Sequence, residues 1–136
     1  MKTTLTKMLG FAALGMTLLA TTIPTWAGLV GTQQVSVSIN QYATSGSGSM
    51  VGARYSADNQ QHIGCSIQVG RYDAAPSVSC GARNISGAYY YCYSLNPRYV
   101  EAVQGMTDSS YISFERLNSS TACTNLMIYD GSDQLR

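Results

Sequence analysis

The sequence predicts a mainly β protein. The expected architecture is an antiparallel meander of about seven strands, an open sheet or a small barrel, with one short helix packed on it and two disulfides bracing it. Three observations predict it. Short apolar runs alternate with polar residues at period two rather than at helical spacing. Clusters of Gly, Ser, Asn and Pro separate those runs. Four cysteines, Cys65, Cys80, Cys92 and Cys123, fall among them.

The chain opens MKTTLTKMLGFAALGMTLLATTIPTWAGLVG. Lys2 and Lys7 give a positive start, Met8 to Ala20 carries no charge, and Thr25-Trp26-Ala27 is a small-x-small cleavage pattern. This is the layout of a secretory signal peptide, bacterial in style. A membrane span needs ~20 apolar residues, more than this run supplies. Without a cysteine near the cleavage point, the chain does not read as a lipoprotein. Residues 1–27 are therefore read as signal peptide and 28–136 as a single disulfide-braced β-rich domain, secreted or periplasmic. Both lysines leave with the leader, so six arginines face seven acidic residues. No basic patch invites nucleic acid, and no later segment is apolar enough for a membrane span.

Val35, Val37 and Ile39 alternate with Gln34, Ser36 and Ser38, as in a half-buried strand. Thr44 to Ser49, TSGSGS, reads as a flexible loop. Met50 to Tyr55 reads as a second strand and Ala57 to Gln61 as a polar turn. His62 to Val69 is a third strand, with Ile63, Cys65, Ile67 and Val69 on one face. Gly70 to Ala75 turns the chain. Pro76 opens the next strand, in which Val78, Cys80 and Ala82 share a face.

Matching faces sets the register. Cys65 opposite Cys80 brings Ile67 to Val78 and Ile63 to Ala82, and every partner agrees. The same logic sets Tyr55 against Ile63, Ala53 against Cys65 and Val51 against Ile67. Ile85-Ser86-Gly87 reads as a three-residue turn with Gly87 left-handed, which sets Cys80 opposite Cys92. Asn96 then caps a helix with Pro97 in its first turn, Tyr99, Val100 and Val103 follow helical spacing, and Gly105 ends it. Tyr111 to Leu117 and Thr121 to Tyr129 form a closing hairpin around Asn118-Ser119-Ser120.

An exported chain with an even cysteine count points to disulfides. The expected bridges are Cys65–Cys80 and Cys92–Cys123, with Cys80–Cys92 plus Cys65–Cys123 as the rival. Cys65–Cys92 is disfavoured because a strand separates them. Zinc is disfavoured too, since no C-x-x-C pair occurs and His62 is the single histidine.

The segments HIGCSIQV, SCGARNISG, CYSLNP and DSSYISFERLNSSTACTNLMI, within Gln61 to Ile128, resemble recurring segments of small exported bacterial four-cysteine proteins. The resemblance implies an exported four-cysteine domain and brings no activity and no site residue.

The chemistry-bearing residues are sparse. His62 has no serine elbow and no orienting acid beyond a nearby Asp58, so it reads as a surface histidine. Asp58, Asp73, Glu101, Asp108, Glu115, Asp130 and Asp133 nominate no carboxylate pair. Asp130 to Asp133 lacks the ligands of a calcium loop, and Gly46 and Gly48 lack the lysine and helix of a phosphate loop. No cofactor is indicated. Asn84-Ile85-Ser86 and Asn118-Ser119-Ser120 match the glycosylation sequon, relevant only in a eukaryotic secretory host.

Three functional classes remain. The leading one is a non-enzymatic exported binding or surface-interaction module with a glycan or protein partner. The second is an inhibitor of a hydrolase, with Arg71 and Tyr72 in the Gly70–Asp73 loop as anchors. The third is a small hydrolase without a recognisable motif. The best candidate surface is AYYYCYSLNP, Ala88 to Pro97. Strand alternation puts Tyr89, Tyr91 and Tyr93 on the face opposite Cys92. They would lie over Gly81, Ser79, Ser66 and Gly64 as an aromatic platform. The competing expectation is that the helix folds back and covers the stripe with Val100 and Val103.

Overall fold

The computed structural model describes residues 33–70 and 75–131. They form seven strands and two short helices. The strands are β1 (Ser36–Ile39), β2 (Ala43–Ser49), β3 (His62–Gln68), β4 (Ser77–Arg83), β5 (Tyr89–Ser94), β6 (Tyr111–Leu117) and β7 (Cys123–Tyr129). Helix α1 (Met50–Arg54) follows β2, and α2 (Pro97–Gln104) follows β5. All strand pairs are antiparallel and make two open sheets, β1-β2-β6-β7 and β3-β4-β5, with no closed barrel. The expected signal peptide and the Arg71–Tyr72 loop tip lie outside the described residues.

The three-stranded sheet has the expected register. Cys65 faces Cys80, Ile67 faces Val78, and Ile63 faces Ala82. Cys80 also faces Cys92, Gly81 faces Tyr91, and Ser79 faces Tyr93. The β4–β5 turn closes with Asn84 accepting from Gly87 N–H at 2.9 Å, and Gly87 takes φ +83°. That left-handed backbone suits glycine, which has no Cβ to clash. The bridges are Cys65–Cys80 and Cys92–Cys123. The first lies within the small sheet, and the second ties β5 to β7 in the other sheet.

Two segments differ from expectation. Thr44 to Ser49 is not a loop but most of β2, paired on both sides. Its inward positions Thr44, Gly46 and Gly48 are buried, while the serines between them face out. A Cβ on Gly46 would stand 2.8 Å from Ala82 Cβ and 3.0 Å from the Phe114 ring. Glycine is thus what lets the two sheets close here. Met50 to Arg54 is a helix rather than a strand, so the Tyr55–Ile63 pairing does not form. Ser49 caps α1, its hydroxyl accepting from Gly52 N–H at 3.2 Å. Gly52 also lets the Gln33 carbonyl approach to within 2.5 Å of where a Cβ would sit.

The core lies between the sheets. Val78, Cys80, Ala82, Tyr90 and Cys92 from the small sheet meet Ile112 and Phe114 from the large one. Tyr90 and Phe114 stack with centroids 5.2 Å apart. Val100 and Val103 of α2 join the same cluster. Asn96 caps α2 by accepting from Arg98 N–H at 3.0 Å, with Pro97 at the first turn and Gly105 at the end. So brief a helix depends on this packing to persist. Cys65 is half-buried, at the rim of the core rather than within it. Among the described residues no helix is long and apolar enough to cross a membrane.

Candidate functional site

Strand alternation settles the fate of the tyrosines. Tyr90, Cys92 and Ser94 point inward and are buried, so Tyr89, Tyr91 and Tyr93 point outward. Their exposures are 57%, 44% and 40%. Helix α2 packs on the opposite, cysteine-bearing face, where Val100 and Val103 are buried. The helix therefore does not cover the stripe.

The outer face of the small sheet is a shelf. Tyr89, Tyr91 and Tyr93 form a ridge along β5. Between His62 and Tyr89, at one end of the ridge, lies a groove of about 230 Å³, floored by Gly64, Ser66, Ser79 and Gly81. A Cβ on Gly64 would meet nothing closer than the His62 ring at 4.0 Å, so the floor is open there. Tyr89 lies across Gly81, its hydroxyl 3.1 Å from where a Cβ would stand. The Tyr89 and Tyr91 rings are 6.3 Å apart and within 25° of parallel.

Two arginines sit against the ridge. Arg83, opposite Tyr89 in the ladder, holds its guanidinium carbon 5.6 Å from the Tyr89 ring centre. Arg116, from the other sheet, lies 5.6 Å from the Tyr91 ring and 5.3 Å from the Tyr90 ring. His62 completes the row His62–Arg83–Tyr89 across three strands. Arg83 and His62 follow from the cysteine register, which sets Arg83 beside Tyr89. Arg116 comes from a strand remote in sequence, and no local pattern announces it.

The buried neighbour Tyr90 behaves differently. Its hydroxyl is buried and closes no hydrogen bond of good geometry. Burial pushes its ionisation up to about 12, only partly offset by the Arg116 charge and backbone N–H beside it.

The other polar candidates are occupied in structural roles. Asp58 accepts from the Gln61 side chain at 2.6 Å and from the backbone of Gln60 and Gln61. The Gln61 side-chain bond, followed by the Gln60 backbone bond, holds its carboxyl below the ordinary range. Gln61 in turn accepts from Val35 N–H, pinning the chain before β1. Asp108 pairs with Arg54 at 3.6 Å, and Asp130 accepts from Thr107 and Ser110. Ser66 reaches the Ser79 carbonyl at 3.5 Å rather than His62. Among the described residues no three His, Cys, Asp or Glu side chains gather to hold a metal ion. Comparison with family models, with curated proteins and with solved structures returns no match.

Proposed function

We propose that this chain is an exported, non-enzymatic binding module that holds a carbohydrate on the tyrosine shelf of its small sheet. The observation that supports the reading is the exposure of Tyr89, Tyr91 and Tyr93 beside a floor of glycine and serine. Tyrosine combines an apolar ring with a polar tip and gives a large contact area for few rotors. Sugar rings have apolar faces that stack on such rings and hydroxyl edges that meet phenols and serines. The three ridge tyrosines, spaced two residues apart along β5, offer stacking positions to successive units of a sugar chain. The leader and the two bridges fit an oxidising compartment outside the cytosol, as does the likeness to exported four-cysteine proteins.

The test is affinity electrophoresis through gels carrying a panel of neutral and acidic polysaccharides. Tyr89→Ala and Tyr91→Ala should each weaken retention roughly tenfold, the scale of one lost aromatic stack. Because both rings are exposed, the melting temperature should stay near that of the parent. Unchanged retention in the double variant would refute the reading.

A further inference from the structure

Building on the carbohydrate reading, we infer that the sugar chain recognised by the shelf is acidic, a polyuronate in chemical class. The charge on this face is one-sided. Every outward position of β3, β4 and β5 is His, Gly, Ser, Gln, Arg or Tyr, without a carboxylate. Arg83 and Arg116 each lie against a ridge tyrosine. Among the described residues the ion pair is Arg54–Asp108, so neither ridge arginine pairs with a described carboxylate, although Glu115 precedes Arg116 in β6 and its charge reaches Tyr90. The exposed Arg83 guanidinium, stacked on a ring, keeps its in-plane donors free, and their fork matches a carboxylate in two parallel hydrogen bonds, whereas Arg116 buries its Nε and offers only its terminal nitrogens. His62, in register with Arg83, adds a donor at the same end of the groove.

The pattern is sparse: two guanidiniums beside successive tyrosines whose rings are 6.3 Å apart. That suits a ring polymer carrying carboxylates at intervals. It does not suit nucleic acid, whose phosphates demand a continuous basic track. The chain has a formal charge of only +1 and no such track.

The experiment uses two polyuronates, polygalacturonate and alginate, each beside its esterified form, at about 0.15 M salt. Esterification removes the charge and leaves the rings. The parent protein should be retained more strongly by at least one polyuronate than by its ester. Arg83→Gln should weaken that retention roughly tenfold and erase the preference, while Arg83→Lys restores part of it. Equal retention on acid and ester, or an unchanged preference in Arg83→Gln, overturns the acidic assignment. If Tyr91→Ala still lowers retention on the esters, the carbohydrate reading survives that result. Tighter binding of single-stranded DNA than of either polyuronate overturns both, as does retention on no polymer at all.

Discussion

Adjacent tyrosines on one strand have opposite fates. Tyr89 and Tyr91 face solvent, while Tyr90 between them is 3% exposed and stacked on Phe114. This split was legible from sequence, because a strand alternates its faces and Cys92 marks the inner one. The arginines that flank the rings were less legible. Arg83 follows from register, but Arg116 arrives through tertiary packing alone. The buried Tyr90 hydroxyl supplies a prediction. Tyr90→Phe removes a buried oxygen that closes no good hydrogen bond and keeps the ring, so stability near neutral pH should hold or rise slightly. The pH dependence should change more clearly. A tyrosine with raised ionisation binds its proton more tightly in the folded state. Its stabilisation is intact below about pH 10, the unfolded value, and is lost as pH rises through about 12. Urea unfolding at about pH 9 and about pH 12 should show a fall in the parent that is smaller in Tyr90→Phe. An equal fall in both would place its cause elsewhere.

At the level of elements, the instructive case is β2. TSGSGS has the composition of a linker, and that composition masks its pattern. The pattern was nonetheless there: glycine and serine alternate at period two, with glycine on the inward face. The opposite difficulty applied to α1. Five residues are too few to display a helical period, and Val51 and Ala53 mimic strand alternation. Its one local signal is the Ser49 cap. The β3–β4 and β4–β5 pairings were legible because apolar partners agreed at every rung. Gly46 gives the test at this scale. Gly46→Ala places a methyl 2.8 Å from Ala82 Cβ, a neighbour fixed to the backbone of the facing sheet. Overpacking of this kind costs about 1–3 kcal/mol. Chemical denaturation should show that loss, and Ala82→Gly in the same chain should recover part of it. A Gly46→Ala protein as stable as the parent would show that the sheets are not closed on this residue.

Across the whole molecule, the two bridges divide the labour. Cys65–Cys80 links neighbouring strands that already pair, over a separation of 15 residues. Cys92–Cys123 links the two sheets over 31 residues and lies in the core. Between the sheets, Tyr93 N–H also reaches the Thr121 carbonyl at 3.0 Å. Replacing Cys92 and Cys123 together by alanine should cost about 3–4 kcal/mol from loop closure, with lost core packing in addition. The Cys65 and Cys80 pair should cost less, because its loop is shorter and Cys65 is half-buried. Calorimetry of the two double variants orders them, and the reverse order would refute this account. The pairing was legible as the first of two, because every apolar partner agrees when Cys65 faces Cys80 and a strand separates Cys65 from Cys92, while the same register left Cys80–Cys92 open as a rival.

The position of the bridges beneath the shelf has a kinetic and entropic consequence. Cys65, Cys80 and Cys92 occupy three neighbouring strands, directly under the face that carries the tyrosines. Each strand of the shelf is thus fastened from behind, two to each other and the third to the opposite sheet. A ligand held on this face, as proposed, would meet strands cross-linked from behind. Association then forfeits the ligand's own freedom and a few side-chain rotors, not the freedom of a loop. On the carbohydrate reading, cross-linked strands would leave little to rearrange on encounter, and weak individual stacks would add along a polymer as successive units engage.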